Sequence, residues 1–570
     1  MSINSPENRI RIVFSGVILI ALILVTRLYF LQVVHGKEYS DRADRQYVKS
    51  YSQIFDRGSI NFSNKDGTVI SAATLSNGYT VSLNPKKITD QKSLYDKLSL
   101  VVSITPEDYY AKVSKVNSSY EKIAERIDRT TADKITALKL DGVEVQKQNW
   151  RYYPSKNIAS RVIGFVGFDG DTFDGRYGLE KYYNDILARN QNGMYVNFFA
   201  ELFSNINKAI SSDDNNEGDI VTTIEPTVES YLESKIADVQ KKYESNITGG
   251  IIMDPQTGEI TAMAVNPNFD PNNYNLEKDV SVYNNPLVEG VYEMGSIIKP
   301  LTVAAALDTG AVTAETTYND TGCWTLDKST ICNFDGKARG VVPVQQVLSQ
   351  SLNVGSAHVA LLMGKDNFAT YMRNYGLDVE TGIDLPSENH GRLNNLTSPR
   401  DIEYATAAFG QGISMTPIET IRALASLGNG GKLVKPHLVK KIEYKNGLFN
   451  NISYENEATQ VLKKETSTEI SRMLTEVVDK ALMNGTIKLE HYSVAAKTGT
   501  AQIAKPGGGY YDDKWLHSFF GYFPSYKPKF IIFLYTVEPK GVNYASQTLT
   551  QPFADLVKFL INYYEIAPDR

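Results

Sequence analysis

The chain has 570 residues, which suits two or three domains of about 150 residues each and excludes a small stapled module. Its 59 Lys and Arg against 65 Asp and Glu give a net charge of −6 with no basic block, so the electrostatic footprint of a nucleic-acid binder is missing. With 42% hydrophobic residues it can bury real cores, and its six His and two Cys, without HExxH, CxxC or paired-His spacing, argue against a metalloenzyme; no metal or cofactor is expected.

Ile12 to Val25 is apolar apart from Ser15 and Gly16, and after Thr26 and Arg27 the run resumes from Leu28 to Val34. At 1.5 Å per residue, Ile12 to Val34 makes a helix of roughly 33 Å, enough to cross a hydrocarbon core of about 30 Å with Arg27 snorkelling. Arg9 and Arg11 precede it and hold the amino terminus in the cytoplasm, so everything after about residue 35 is expected outside. A cleaved signal peptide and a buried core helix are the competing readings. No small-x-small site follows the run, which favours the retained anchor over residues 1–37.

From 38 to 235 short β-like runs (TVISAA, GYTVSL) alternate with polar helical stretches, ITDQKSLYDKLSLVVS and Ser118 to Leu140, which predicts an α+β module. SSDDNNEGD at 211–219 reads as an exposed loop. GDIVTTIEP then reads as a strand leading into the helix PTVESYLESKIADVQKKYES, and GGIIMDPQTGEITAMAVNP as a hairpin. Helical stretches follow at Pro300 to Leu307, Val344 to Leu362, Pro417 to Leu427 and Thr466 to Met483. The chain ends in further strands, YSVAAKTGTAQIA, HSFFGYFP and KFIIFLYTVEP. Strands at both ends with helices between predict one sheet assembled from both, over 236–570. Cys323 and Cys332, in CWTLDKSTIC, lie in an oxidising space under this topology; a disulfide-tied loop and two free thiols both remain open.

Three short patterns carry chemistry. Ser296 and Lys299 in YEMGSIIKP share one face of a helix start, where a neutral lysine can take the serine proton and free backbone N–H groups face developing negative charge. Ser119 and Lys122 repeat that spacing among charged residues with nothing to form a site, so the pair alone decides little. Ser351 and Asn353 in QSLNVGSA can point the same way, one to relay a proton and the other to bind a peptide amide, although a helix cap would look alike. Lys497, Thr498, Gly499 and Thr500 in YSVAAKTGTAQ have strand character; the strand edge would take an extended peptide as an added strand, and Lys497 with the hydroxyls a carboxylate.

In this order and with these gaps, the three patterns resemble the set shared by penicillin-binding proteins and serine β-lactamases. Over nearly its full length the chain is similar to class B penicillin-binding proteins, membrane-anchored peptidoglycan D,D-transpeptidases. DRGSI at 56–60 with the DG at 66–67, RYYPSKNIASRVIGFVG at 151–167 and GRYGLEKYYN at 175–184 resemble that family's pedestal. MDPQTGEITAMAVNPNFDPN, TGIDLP at 381–386, FGQGISMTP at 409–417 and HSFFGYFP resemble its catalytic half. Met294 departs from the usual Pro before Gly-Ser, and SINFSNKDG is a looser pedestal motif.

The resemblance implies an α+β architecture of a single transmembrane helix, a non-catalytic pedestal (dimerisation-type) domain at 38–235 and a penicillin-binding transpeptidase domain at 236–570, an antiparallel sheet with packed helices as in serine β-lactamases. It implies that Ser296 attacks the penultimate D-Ala carbonyl of a stem peptide with Lys299 as base. Ser351 and Lys497 then relay the proton to the departing D-Ala, Thr498 and Thr500 hold its carboxylate, and an amine from a neighbouring stem takes the acyl group. A β-lactam would trap Ser296. Glu293 and SQSLNVGSA resemble the cell-division branch, with divisome partners and a location at the septum. With no glycan-polymerising domain visible before residue 240, the expected partner is a membrane glycosyltransferase of the shape, elongation, division and sporulation family. The rival readings are an elongation-type transpeptidase, a β-lactamase or D,D-carboxypeptidase, a β-lactam-sensing receptor and a silent scaffold.

Overall fold

A computed structural model describes residues 22, 24, 27, 55–169, 172–189 and 217–570. The expected anchor lies outside these apart from Leu22, Leu24 and Arg27, which are helical and exposed. Among the described residues no helix is long and apolar enough to cross a membrane. Most of the 211–219 loop also lies outside the described residues. Two compact units divide the chain, the first containing Asn77–Asn149 and the second joining Asp56–Ser76 to Trp150–Arg570.

In the first unit the end of the long strand Val69–Leu83 pairs antiparallel with Glu121–Ile127. TVISAA and GYTVSL are thus two parts of one strand. Val81, Leu83 and Ile123 meet Leu94, Leu98, Tyr109, Val113 and Ile135 from three short helices in a small core. Each helix begins at a side-chain cap: Asp90 accepts from the Ser93 amide, Thr105 from that of Asp108 and Asp128 from that of Thr131. The helix expected over Ser118 to Leu140 therefore shrinks to Arg129–Ala137. Its first part is a strand because EKIAERI buries only Ile123, too little for an apolar helical face, while pairing satisfies its backbone.

The second unit is built on a five-stranded antiparallel sheet in the order Ala495–Ala504, Tyr510–Phe523, Phe530–Val537, Ile247–Met253, Ile260–Asn266. This is the sheet from both ends of the 236–570 region that the strand pattern predicts. The helices Pro226–Tyr243 and Thr550–Tyr563 pack on it and on each other, with Tyr231 stacked on Phe559 at 4.1 Å. The helix Lys299–Thr309 is buried on nearly every side, from Lys299 to Ala306 without a break, as a helix at the centre of a cluster must be.

Residues 150–189 join this unit through charge. Glu180, wholly buried, takes the Arg57 and Arg151 guanidinium Nε groups at 2.6 Å each and the Tyr153 hydroxyl at 3.1 Å. Arg57 also donates to Asn184 Oδ1 and to the Glu180 carbonyl, and Arg151 to the Gly58 carbonyl. The three charges come from the DRGSI, RYYPSKN and GRYGLEKYYN segments, so this cluster is the physical content of those motifs.

The helix Pro226–Tyr243 carries a different pair. Glu229, fully buried, accepts from the Met263 amide at 2.7 Å through Oε2, while its Oε1 has no partner. Glu233, one turn on, accepts from the Ala159 amide, and burial raises its carboxyl to about 7. Burial raises Glu229 as well, so a proton is retained there on folding. A carboxyl raised by folding contributes full stability only below the unfolded value, and that contribution is lost as pH rises toward the folded one. Glu229→Gln should therefore stabilise the protein relative to the wild type increasingly as pH rises above about 4.5, the ordinary carboxyl value. Melting curves of the two proteins at pH 5 and 8 check this, and an equal difference at both pH values would count against it.

Candidate active site

The turn Gly295–Ile298 runs into the helix Lys299–Thr309, and Ser296 lies half-buried in it. Gly295 has φ +64°, and a Cβ there would stand 2.6 Å from the Thr500 carbonyl oxygen. Glycine thus meets both a left-handed turn and a close approach of the Lys497 strand. From the other side, a Cβ on Gly499 would collide with Ser518 Oγ and stand 2.7 Å from the Met294 carbonyl, to which Ser518 Oγ donates at 2.8 Å. The Lys497 strand is itself held by the strand Tyr510–Phe523, with Lys497, Thr498, Gly499 and Thr500 facing Phe520, Phe519, Ser518 and His517 across the ladder.

Lys299 is fully buried, and its Nζ donates to the Ser351 carbonyl at 2.6 Å, to Asn353 Oδ1 at 2.8 Å and to Ser351 Oγ at 3.2 Å. Lys497, also buried, donates to the same Ser351 Oγ at 3.0 Å and to the Thr498 carbonyl at 3.0 Å. No carboxylate bonds to either ammonium among the described residues. Burial, and secondarily the charge of Lys497, push the Lys299 amine well below the usual lysine range. Burial brings Lys497 down to about 7. One hydroxyl thus joins two amines of which at least one can be neutral near neutral pH.

Ser351 pays for this position in its backbone, at φ +55°. It interrupts the helix expected over Val344 to Leu362, which forms as Gln345–Ser349 and Asn353–Met363. Asn353 also donates from Nδ2 to the Cys332 carbonyl at 2.9 Å. Cys323 and Cys332 are disulfide-bonded and close the hairpin of Cys323–Leu326 and Ser329–Cys332, which settles the alternative the spacing left open.

The structure brings Lys299, Ser351, Asn353 and Lys497 into one hydrogen-bonded group. Ser296 stands one helical turn from Lys299 without a bond to either lysine, and Thr500 is reached by the Ala545 amide at its Oγ1. Sequence reasoning missed the supports. Glu293, read only as a branch marker, accepts from the Tyr510 hydroxyl at 3.0 and 3.1 Å and from the Gly412 amide at 3.1 Å, and so ties the turn that carries Ser296 to the tip of the sheet. Gly412 and Ser518 lie in FGQGISMTP and HSFFGYFP, where the quoted segments were the available signal; Tyr510 had none.

Two family models match the chain, one described as Penicillin binding protein transpeptidase domain over residues 248–558 and one as Penicillin-binding Protein dimerisation domain over 56–223. Stage V sporulation protein D of Bacillus subtilis is 30% identical over 564 residues, covering 97% of this chain and 85% of that protein. Peptidoglycan D,D-transpeptidase FtsI of Buchnera aphidicola is 27% identical over 574 residues, covering 97% and 95%. The crystal structure of Penicillin Binding Protein 2X from Streptococcus thermophilus superposes with a TM-score of 0.71 at 19% identity, over 90% of this chain and 81% of that one, a likeness of fold.

Proposed function

Because the chain belongs to the penicillin-binding proteins and is a cell-wall peptidoglycan D,D-transpeptidase, we propose that Ser296 is its acylating serine. In this reading the Ser296 hydroxyl attacks the penultimate D-Ala carbonyl while Lys299 takes its proton. Ser351 with Lys497 delivers a proton to the departing D-Ala, and the Ser296 and Thr500 amides hold the oxyanion. Thr498 and Thr500 take the terminal carboxylate of a donor peptide lying along the Lys497 strand, with Gly499 leaving room for its backbone. An acceptor amine then attacks the ester, the cross-link forms and Ser296 regains its proton.

The observation that carries this reading is the Ser351 hydroxyl bonded at once by two buried lysines. A charged lysine cannot act as base, so acylation by a β-lactam should rise as Lys299 loses its proton, at a pH well below the ordinary lysine range, and then level off. A stopped-flow pH series reads this, and a rate that begins to rise only near pH 10.5, where an ordinary lysine titrates, would exclude Lys299 as the proton acceptor. Intact mass after benzylpenicillin tests the reading itself. One slowly lost adduct per chain is expected, whereas rapid drug destruction would indicate a hydrolase.

The anchor at Ile12 to Val34, an extracytoplasmic catalytic unit, a polymerising glycosyltransferase as partner and the other divisome proteins belong to the same proposal. Glu293 and SQSLN favour septal wall synthesis. The sporulation name of the 30% identical relative supports a second reading, synthesis confined to sporulation. A fluorescent fusion separates them: a ring at mid-cell in growing cells supports the first, signal only in sporulating cells the second, and an even lateral distribution an elongation role.

A further inference from the structure

The disulfide hairpin and the residue after it hold the start of the helix Asn353–Met363 by side chains outside every motif. That helix has no cap from its own N-cap residue, Leu352. Instead Asn333, buried and 21 positions earlier, accepts from the Val354 amide through Oδ1 at 3.1 Å. Its Nδ2 donates to both oxygens of Asp320 at 2.9 and 3.0 Å, and Asp320, itself buried, also accepts from the Arg339 amide at 3.1 Å. One residue before Asn333, the Cys332 carbonyl takes the Asn353 amide group. The hairpin is seated by Ile331 packed against Ala357 and by Trp324 stacked on His358 at 4.1 Å.

These contacts converge on Asn353 and Val354, the second and third residues after the left-handed Ser351. A backbone in that conformation persists only where its surroundings over-determine it, and an uncapped helix start ordinarily leaves its first amides to water. Here both requirements are met by the segment Asp320–Asn333. The Lys299 amine draws two of its three acceptors from Ser351 and the third from Asn353, so any loosening of this helix start is felt at the amine.

We propose that Asn333, fixed by Asp320, is a positioning residue that sets Asn353 and Ser351 and through them the proton-accepting geometry of Lys299. This rests on the reading of Ser296 and Lys299 given above. The charged and titratable groups around the two ends are Lys497, facing Lys299, and Arg339, Tyr318 and His358 around Asp320; none is altered by the test.

The test measures acylation of the full chain by benzylpenicillin from pH 5.5 to 9 for the wild type, Asn333→Ala and Asp320→Asn, with the non-covalent dissociation constant resolved from the acylation step. Displacing the helix start should lower the acylation rate roughly 10- to 100-fold with that constant unchanged. Losing an acceptor disfavours the ammonium, so the rising limb should move to lower pH by roughly half a unit or more. A merely structural role would lower the amount of active protein without moving the limb. A folded variant with the wild-type limb and rate overturns the inference. Failure of the wild type to form a Ser296 adduct would instead overturn the reading on which it rests. Should neither variant fold, hydrogen exchange in the wild type decides: the Val354 amide must be protected to the level of the helix interior, and exchange as fast as an open helix start refutes the clamp.

Discussion

Ser296→Ala is expected to remove the covalent β-lactam adduct and to lower transpeptidation by at least about 10⁴-fold, since no later step can replace a missing nucleophile. The variant should melt with the wild type, because Ser296 is half-buried and takes part in none of the bonds that hold Lys299, Ser351, Asn353 and Lys497 together. Intact mass after benzylpenicillin, with thermal melting alongside, reads both expectations. A persisting adduct of unchanged mass would move the nucleophile elsewhere, and Ser351 would then be the first residue to replace. Lys299→Met should also fail to acylate, but it vacates the three-acceptor position and leaves Ser351 with Lys497 alone. Its loss of activity should therefore come with a measurable loss of stability, which Ser296→Ala lacks.

The second large effect lies far along the chain from the chemistry. Glu180→Ala should destabilise the second unit by roughly 3 to 5 kcal/mol, because it leaves Arg57 and Arg151 as two uncompensated guanidinium ions in a site from which water is excluded. Denaturant unfolding followed by intrinsic fluorescence measures it. Glu180→Gln should recover little, since a neutral amide accepts at one oxygen and cannot balance two cations. Replacing all three charged residues by apolar ones of similar volume should cost less than removing the glutamate alone, because the desolvation of the ions is then no longer required. A Glu180→Ala protein as stable as the wild type would mean that water enters the cluster and screens it.

Much of the site was legible because acyl transfer requires a nucleophile, an amine and a peptide-binding edge at fixed places, and few residue types can supply them. Ser296, Lys299, Ser351, Asn353 and Lys497 were all named from spacing and resemblance, and the last four are joined by mutual hydrogen bonds from which Ser296 stands apart. The sheet was legible for a similar reason: GGIIM, ITAMAV and KFIIFLYTV are long apolar runs that only a buried strand explains. What escaped was non-local and built from single polar residues. No period marks Asn333 as the cap of a helix that begins twenty positions later, and no glycine or proline announces the break at Ser351. Glu121–Ile127 was read as helix because its charged residues suit either structure, and only its partner strand decides between them.

The order of the five-stranded sheet has a consequence for biosynthesis. Phe530–Val537, which pairs with Tyr510–Phe523 on one side and Ile247–Met253 on the other, is the central strand and the last of the five to be made. Until the growing chain has delivered it, the hairpin of Ile247–Met253 and Ile260–Asn266 stays open along one edge for the time taken to synthesise some 270 residues, and the Lys497 strand cannot be joined to it. A nascent chain halted anywhere before this strand therefore exposes an apolar strand edge and has no complete site. The sheet that carries the Lys497 strand comes into being in a single late step, after nearly the whole polypeptide has been synthesised.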